Sequence, residues 1–330
     1  MTELRPAATP DAAAAPAAAR APRPARVKIQ RRSVHGVLLL DKPIGLSSND
    51  ALQKAKWLLR AEKAGHTGTL DPLATGLLPL CFGAATKFSQ VSLDADKAYR
   101  ATLMLGATTT TGDAEGTVRQ QRPVRLDRAA IEAACARFTG AIKQVPPMHS
   151  ALKHQGRALY EYARAGVEID RAPRALTIHR IDIVAWQDAT LVLDVVCSKG
   201  TYIRTLAEDI GEALGCGAHL AALRRTASGP LTLAGAVTLP ALEAMTEAER
   251  DACLQRPDTL LADWPEIRLS ADEAARFLTG LRRRLASHPD CAHLRVYGPE
   301  PGALLGSAHV QAGELIADRL LSPLEVSIQP

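Results

Sequence analysis

Aromatic residues are scarce in this chain, and so are several other features that mark particular classes of protein. Tryptophan, tyrosine and phenylalanine together make up 4% of its 330 residues, so a tyrosine inside a motif carries more weight than usual. No apolar run reaches the roughly 20 residues that a membrane-spanning helix needs. The N-terminus also lacks the continuous apolar stretch of a secretory signal. These absences argue against a membrane protein and against a secreted one.

Paired cysteines are absent as well. The six cysteines form no CxxC pair and no cluster with histidine at the spacing of metal ligands. This usage is typical of reduced core residues in a cytoplasmic protein. We therefore predict a cytoplasmic location, with neither a disulfide framework nor a zinc site.

The net positive charge of the chain comes almost entirely from the N-terminal segment. The first 34 residues contain seven basic and two acidic side chains, while the whole chain has a formal charge of +5. The rest is therefore close to neutral, and any binding to nucleic acid must use a local patch. Residues 1–32 are alanine, proline and arginine with few large apolar side chains, which predicts a disordered tail. A tail that contacts RNA nonspecifically is the alternative to a merely solvated one.

Apolar periodicity predicts alternating strands and helices over the first half of the chain. The run from Gly36 to Pro43 is typical of a buried strand, and Ser47 or Ser48 can cap the helix that follows. Residues 97–106 alternate in polarity, as in a strand with one buried face. Helices are predicted over 126–138 and 159–165, with strands over 176–186 and 191–197.

A helix is predicted to begin around Ile203. The composition of the sequence changes further along, near Asp263. A basic helix to Arg284 is predicted there, followed by short strands with glycine turns, which favour a small barrel. No dinucleotide-binding or P-loop fingerprint is present. We predict an α+β fold, a mixed and largely antiparallel sheet with flanking helices, plus a small C-terminal β-barrel. The predicted domains are residues 33–262 and 263–330.

The stretch from Gly65 to Pro79 is unusually rich in glycine, threonine and proline. Its density of glycine predicts a shaped loop between apolar runs, and Asp71 is its only acidic residue. On local grounds alone, Asp71 followed by Pro72 is typical of a helix N-cap with proline at the first helical position. The residues by themselves therefore leave two interpretations of Asp71, a helix cap and a functional carboxylate.

Several motifs resemble those of one enzyme family. The segment 65–79, with 81–87 after it, resembles the signature of the TruB family, the bacterial tRNA pseudouridine-55 synthases. Lys42-Pro43 resembles a second motif of that family, and the run Lys199-Gly-Thr-Tyr-Ile-Arg204 resembles a third. Residues 215–226 extend the likeness, which covers about residues 34–262. The C-terminal segment resembles, by its position, the family's PUA-type RNA-binding module.

The resemblance implies roles for individual residues. Asp71 would be the catalytic nucleophile, and Arg204 would pair with it and keep it ionised, because a nearby opposite charge favours the charged form. His66 would occupy the space that the flipped-out target base leaves. The residues implied to contact that base are Tyr99, Tyr202 and Leu223. Lys42 and Gly68 would support the structure of the site.

Each assignment has a plainer alternative. Tyr99 could be a core aromatic at the start of a strand, and His66 could be an ordinary loop residue. Arg204 could be a solvated cation in a first helical turn, although a cation there opposes the helix dipole. Two positions depart from the family pattern: Thr110 stands where an aspartate is usual, with Asp113 fitting the pattern after it, and His149 stands where a tyrosine is common. We assign no catalytic role to His149.

The implied reaction is isomerisation of the uridine at position 55 in the T arm of tRNA. It involves neither redox chemistry nor a donor group, so no cofactor and no metal are expected. The expected partner of this monomer is tRNA, with no membrane association. The residues leave open whether Asp71 attacks the sugar or the pyrimidine ring. They also leave open two rivals, an RNA-binding module without turnover and a pseudouridine synthase that acts on another RNA.

Overall fold

The computed structural model describes residues 30–285, 288–299 and 302–327. In chain order the strands are β1 (Gly36–Lys42), β2 (Ala64–His66), β3 (Ala74–Phe82), β4 (Lys97–Leu105), β5 (Ala107–Thr109), β6 (Val118–Gln121), β7 (Gly140–Gln144), β8 (Lys153–His154), β9 (Arg157–Ala158), β10 (Arg174–Gln187), β11 (Thr190–Cys197), β12 (Ala218–Ser228), β13 (Leu231–Thr232), β14 (Val237–Thr238), β15 (Glu266–Arg268), β16 (Arg283–Arg284), β17 (Cys291–Tyr297), β18 (Leu304–Gln311) and β19 (Glu314–Leu320). The α-helices are α1 (Ser48–Leu58), α2 (Ser89–Asp94), α3 (Arg128–Arg137), α4 (Leu159–Arg164), α5 (Ile203–Ala213), α6 (Leu239–Ala244), α7 (Glu247–Ala252), α8 (Ala271–Leu278) and α9 (Pro323–Ser327), with 3₁₀ turns at Gly83–Lys87 and Pro257–Leu261.

A ten-stranded mixed sheet forms the centre of the structure. Its order is β14-β1-β3-β12-β4-β11-β10-β7, with β2 paired to β3 and β13 paired to β12. The β3–β12 and β1–β14 pairs are parallel, and the other pairs are antiparallel. Helices flank this sheet, and the apolar faces of β4, β11 and α5 share one hydrophobic cluster. The predicted mixed, largely antiparallel α+β architecture is confirmed.

A second sheet of five strands lies at the C-terminal end of the chain. Its order is β15-β17-β18-β19-β16, and it forms a curled half-barrel, which confirms the barrel-like sheet predicted here. The boundary predicted at 263 stays a prediction. Apolar side chains of both sheets pack into one cluster, in which Val37, Leu39 and Leu77 meet Tyr297 and Leu304.

Most of the predicted helices and strands lie where the apolar periodicity predicts them. Particular residues explain where some of the helices begin and end. Ser47 caps α1, and its side chain accepts a hydrogen bond from Asp50 N at 3.1 Å. The basic helix is shorter than predicted, because α8 ends at Leu278 and Gly280 then adopts a φ of +81°. Arg284 instead belongs to β16, which pairs with β19.

Three strands differ from what the sequence predicts, and one of them, β2, includes Gly65 and His66 at the start of the predicted loop. The second half of the stretch predicted as a loop is strand β3, which lies between β1 and β12 at the centre of the sheet. The strand runs through Gly76, where a Cβ atom would lie 2.3 Å from the backbone oxygen of Arg225. This glycine permits the close approach of β3 and β12, and it also gave the sequence its loop-like composition. Strand β12 itself was not predicted as a strand.

The predicted disordered tail, residues 1–32, lies outside the described residues except for its last three. Of these, Arg32 is well connected, because its guanidinium binds both oxygens of Asp251 and donates to Leu59 O at 3.0 Å. Over the part of the chain that the structure describes, no helix is long and apolar enough to span a membrane.

Candidate active site

Asp71 lies in a turn that leads into β3. Ala74 N donates to Asp71 O at 3.0 Å, and strand β3 begins at that alanine. The turn is fastened to the start of α1, because Ser48 Oγ accepts from Leu70 N at 2.7 Å and donates to Leu70 O at 3.0 Å. No helix follows Asp71, so the helix-cap interpretation is wrong. The carboxylate is 44% exposed and free to face a cavity.

Arg204 projects from the first turn of α5 and meets Asp71. Its Nη2 lies 3.0 Å from Asp71 Oδ2, and its side chain is only 8% exposed. It also donates to two backbone carbonyls, Thr111 O at 3.2 Å and His149 O at 2.6 Å. A solvated first-turn cation is therefore excluded. The guanidinium is held from several sides, which fixes its orientation toward Asp71.

A second carboxylate that the sequence analysis did not assign to the site lies behind Arg204. Asp113 Oδ2 is 3.4 Å from Arg204 Nη1, and its side chain is 4% exposed. Its other oxygen accepts hydrogen bonds from Thr111 Oγ1 and Glu115 N. The only signal in the sequence was that Asp113 fits the family pattern in a threonine-glycine loop. Asp71, Asp113 and Arg204 come from distant parts of the chain, and only the fold brings them together.

Two cavities meet at the Asp71–Arg204 pair. The inner cavity has a volume of about 410 Å³ and contains Tyr99, Tyr202 and Leu223 in its wall. The outer cavity, of about 430 Å³, has His66 in its wall. Asp71 and Arg204 line both cavities. The structure thus divides the predicted base-contacting residues from the predicted flipping histidine, with the charged pair between them.

The two tyrosines enter the inner cavity from different elements. Tyr99 lies on β4, and Tyr202 is the residue immediately before α5. Burial raises the pKa of both phenols, so they are neutral hydrogen-bonding rings at physiological pH. The backbone of Tyr202 is held by the Gln144 side chain, which accepts from Tyr202 N at 3.0 Å and donates to Tyr202 O at 3.3 Å. Gln144 is a contributor that the sequence analysis did not identify.

His66 lies on the short strand β2, at the wall of the outer cavity. Burial, with a further effect of the Arg225 charge, lowers the pKa of His66, so its imidazole is neutral at pH 7. Its Nδ1 is buried and has no hydrogen-bond partner among the residues that the structure describes. A buried ring nitrogen without a partner is costly unless something else satisfies it.

Two residues, Lys42 and Gly68, were predicted to support the site. Gly68 lies in the wall of the inner cavity, and the Lys42 side chain holds the turn that follows β1. Lys42 is fully buried and donates to Pro43 O at 2.9 Å and Leu46 O at 2.6 Å. Burial lowers the pKa of Lys42 to about 8, and the Asp71 charge partly opposes this effect. Gly68 lines the inner cavity with a φ of +117°, a conformation that favours glycine.

The two positions that depart from the family pattern have local roles. His149 offers its backbone oxygen to Arg204, which does not depend on the side chain. Thr110 Oγ1 accepts from Thr117 N at 3.1 Å and so closes its own loop. In the described ranges, no group of three or more His, Cys, Asp or Glu side chains is arranged to hold a metal ion.

Comparison with known proteins shows which family this chain resembles. Residues 56–203 match the description "TruB family pseudouridylate synthase (N terminal domain)", and residues 204–262 match "tRNA pseudouridylate synthase B C-terminal domain". A tRNA pseudouridine synthase B from Verminephrobacter eiseniae is 59% identical over 310 residues, covering 92% of this chain and 93% of the relative. One from Cupriavidus pinatubonensis is 61% identical over 308 residues, covering 89% and 96%.

Solved structures give the same result for the fold. The crystal structure of a Cbf5-Nop10-Gar1 complex matches with a TM-score of 0.68 and 25% identity, over 92% of this chain and 89% of that one. The archaeal box H/ACA Nop10-Cbf5 complex matches with a TM-score of 0.64 and 25% identity, over 91% and 88%. The protein is therefore an isomerase with the pseudouridine synthase fold. Within that class, the chain belongs to the TruB family of pseudouridylate synthases.

Proposed function

We propose that this enzyme converts the uridine at position 55, in the T arm of tRNA, to pseudouridine. In this reaction the bond from N1 to C1′ breaks, a bond from C5 to C1′ forms, the C5 hydrogen leaves as a proton and N1 gains one. Atoms and electrons balance within the substrate and water, so the chemistry calls for no cofactor, no metal and no donor. The relatives named tRNA pseudouridine synthase B support tRNA as the partner.

The observation that carries this proposal is the position of Asp71 and Arg204 where the two cavities meet. A target base has to leave the RNA stack before an enzyme can act on it, at a cost of a few kcal/mol. A flipped uracil in the inner cavity would have Asp71 beside its glycosidic bond. The outer cavity would then hold the RNA strand from which the base came.

In this arrangement Asp71 acts as the nucleophile. A carboxylate can form a covalent intermediate that divides one difficult step into two easier ones. Arg204 holds one oxygen of the Asp71 carboxylate in place, while Asp113 contacts Arg204 from the other side. Attack on the sugar and attack on the pyrimidine both require this same anionic oxygen.

The remaining predicted residues divide between the base and the gap it leaves. Tyr99, Tyr202 and Leu223 would enclose the flipped base, since aromatic and apolar side chains suit an unstacked nucleobase. His66 would fill the vacated space, and its unpartnered Nδ1 would find a hydrogen-bond partner on the RNA. Lys42 and Gly68 would maintain the turns around the site.

A local basic and aromatic surface supports RNA as the partner. Arg164 lies over the ring of Tyr160, with 5.3 Å from its guanidinium carbon to the ring centroid, and both residues line the outer cavity. Such pairs suit phosphate and base contacts, although the chain beyond its first 34 residues is nearly neutral. The site draws all its predicted residues from one chain, so we propose a monomer, acting on tRNA in the cytoplasm.

Release of the C5 hydrogen provides the test. Purified protein is incubated with an unmodified tRNA transcript labelled with tritium at C5 of uridine, and tritium in water is measured with time. We expect release of one label per tRNA, and none from a transcript that carries cytidine at position 55. Release that persists with the cytidine transcript would place the activity at another uridine. No release from any tRNA would refute the proposal.

A further inference from the structure

Arg225 is the largest fully buried side chain of the described structure, with 1% of its surface exposed. It follows Leu223 by two residues on β12 and lines the inner cavity. In the part of the chain that the structure describes, no carboxylate forms an ion pair with it. Its side chain donates hydrogen bonds to backbone carbonyls, from Nε to Leu77 O at 2.7 Å and from Nη2 to Gly68 O at 3.2 Å.

Arg225 connects three elements that build the inner cavity. Leu77 lies on β3, and Gly68 lies in the segment that carries Asp71, three residues before it. Tyr99, on β4, is the direct cross-strand partner of Arg225, and both residues line the inner cavity. Arg225 thus donates hydrogen bonds to the nucleophile's segment and to the adjacent strand β3, and it lies opposite the tyrosine of the base-binding wall.

Such a residue is expensive to bury. A desolvated cation without a carboxylate partner costs free energy, and an apolar side chain of similar volume would usually stabilise the fold as well or better. The neighbouring positions confirm how close the packing is, because a Cβ on Gly76 would lie 2.9 Å from Arg225 N. A fixed fork of five donors, however, can hold several acceptors in one geometry, which neither lysine nor an apolar residue can do.

We propose that Arg225 is a positioning residue for the isomerisation, holding the Asp71 segment and the Tyr99 ring at a fixed separation. The inference rests on the proposed function and extends it. Through Gly68 O the guanidinium fixes where the nucleophile's turn begins, and as the cross-strand partner of Tyr99 the residue fixes the ring on which the flipped base lies. The same side chain therefore positions both the nucleophile and the base. Arg225 itself takes no part in the chemistry.

The adjacent residue provides a matched control. Arg224 points to the opposite side of β12 and makes a bidentate ion pair with Asp41, at 3.0 and 2.7 Å. Arg225→Lys keeps the positive charge but loses the fork, so we expect the single-turnover rate at saturating enzyme to fall about 100-fold, as for a small misplacement of reacting groups. The affinity for tRNA should change less than about threefold. Arg224→Lys should leave the rate near that of the wild type.

A double-mutant cycle distinguishes positioning from a general effect on stability. Rates are measured for Arg225→Lys, Tyr99→Phe and the double variant, each normalised to the amount of protein that binds tRNA. If Arg225 acts through the Tyr99 side chain, the lysine substitution should cost less in the Tyr99→Phe background than in the wild type. A structural role alone would lower Tm and leave the normalised rates additive.

Three outcomes decide the matter. A normalised Arg225→Lys rate equal to that of the wild type, or additive rates in the cycle, would overturn the inference while leaving the proposed function intact. A wild type that releases no tritium from tRNA would instead refute the proposed function. If Arg225→Lys does not fold, Arg225→Gln, which retains one amide donor, is measured in the same cycle with the same criteria.

Discussion

The two sheets of this protein differ in whether they bury charged side chains. Every buried charged side chain found in the described structure belongs to the ten-stranded sheet or the segments around it, namely Lys42, Lys97, Asp113, Arg204 and Arg225. Among its described residues the five-stranded sheet buries one polar side chain, the uncharged Ser307, and its charged side chains keep some exposure, as in Arg295 (20%) and Glu314 (37%). Both sheets have apolar cores, so the need to fold does not explain the difference.

Buried charge is costly unless it is paired or otherwise held. In the larger sheet these charges converge on the region of Asp71, where Arg204 is ion-paired and Arg225 is held by carbonyls. A reaction that needs the Asp71 carboxylate in a fixed orientation would explain why the larger sheet buries charged side chains despite the cost in free energy. Within the described residues, the smaller sheet carries no such arrangement of buried charges, so we expect it to contribute contacts with RNA and no chemistry. The following predictions test that division.

Asp71→Asn should have the largest effect. The neutral amide has no anionic oxygen with which to form a covalent bond, so we expect turnover to fall by at least about 10⁴-fold. Binding of tRNA should persist, and Tm should change little, because Asp71 is 44% exposed and Arg204 keeps Asp113 as a partner. Tritium release, filter binding and thermal melting measure the three quantities. Near-normal turnover would remove Asp71 from the chemistry.

Arg204→Lys should come next. Lysine keeps the charge but cannot reach the Asp71 carboxylate and both carbonyl acceptors at once, so we expect turnover to fall about 10²- to 10³-fold. The control is Arg122→Lys, whose guanidinium makes an ion pair with Glu212 at 2.7 Å on the exposed surface. Equal losses in the two variants would show that an exposed arginine ion pair matters as much as the buried one, and would contradict the special role of buried charge.

Asp113→Asn should have an intermediate effect. Arg204 would keep Asp71 but lose the buried carboxylate that holds it from behind, and we expect turnover to fall about 10- to 100-fold. Because the amide can still accept from Glu115 N, the fold should survive with a loss of about 1–3 kcal/mol. Single-turnover rates and urea unfolding test both figures. Turnover unchanged from the wild type would make Asp113 purely structural.

Changing the second sheet should affect binding and leave chemistry unchanged. Arg282→Gln with Arg284→Gln removes two exposed cations, so we expect a roughly tenfold weaker affinity for tRNA and a salt dependence reduced by about two in slope. The rate at saturating enzyme should stay the same. Arg128→Gln, an exposed cation on α3, is the control. A slower chemical step in the double variant would contradict the division between the sheets.

The smallest expected effect concerns stability against pH. Burial lowers the pKa of Lys42 to about 8 in the folded protein from its ordinary value of 10.5, so between these two pH values the unfolded chain binds more protons and stability rises with pH. From pH 8 to 9 the wild type should gain about 1 kcal/mol relative to Lys42→Met. Lys54→Met, at an exposed lysine, should show no such change. Urea unfolding at several pH values measures this difference.

The sequence was sufficient where periodicity is strong. Strand β4 was predicted from the alternation of Tyr99, Ala101 and Leu103, and α5 from apolar residues such as Ile203 and Ile210 on one face. Strand β12 was missed because it is paired on both sides and its burial does not alternate regularly. Gly76 concealed the start of β3 for a related reason, since close packing there requires a residue that is otherwise typical of loops.

The candidate site was predictable only in part. A distinctive motif pointed to Asp71, and another pointed to Arg204, but local spacing gave no sign that Asp113 would join them. Arg225 lies in the stretch 215–226 that extends the family resemblance, but nothing in that stretch indicates that its side chain is buried. Its burial depends on carbonyls from β3 and from the segment around Gly68, which no local pattern reveals. Residue types were therefore easier to predict than the partners that orient them.

The apolar cluster shared by Val37, Leu77, Tyr297 and Leu304 limits how the two sheets can move. A core packed across both sheets resists sliding, because interiors are dense and tolerate little strain. Lys87 adds an ion pair to Glu325 at 2.6 Å. RNA contacts at the second sheet and the catalytic pocket would then be separated by a nearly constant distance. This fixed distance would select RNA whose folded shape spans both surfaces. It would discriminate against the same nucleotides in an unfolded strand.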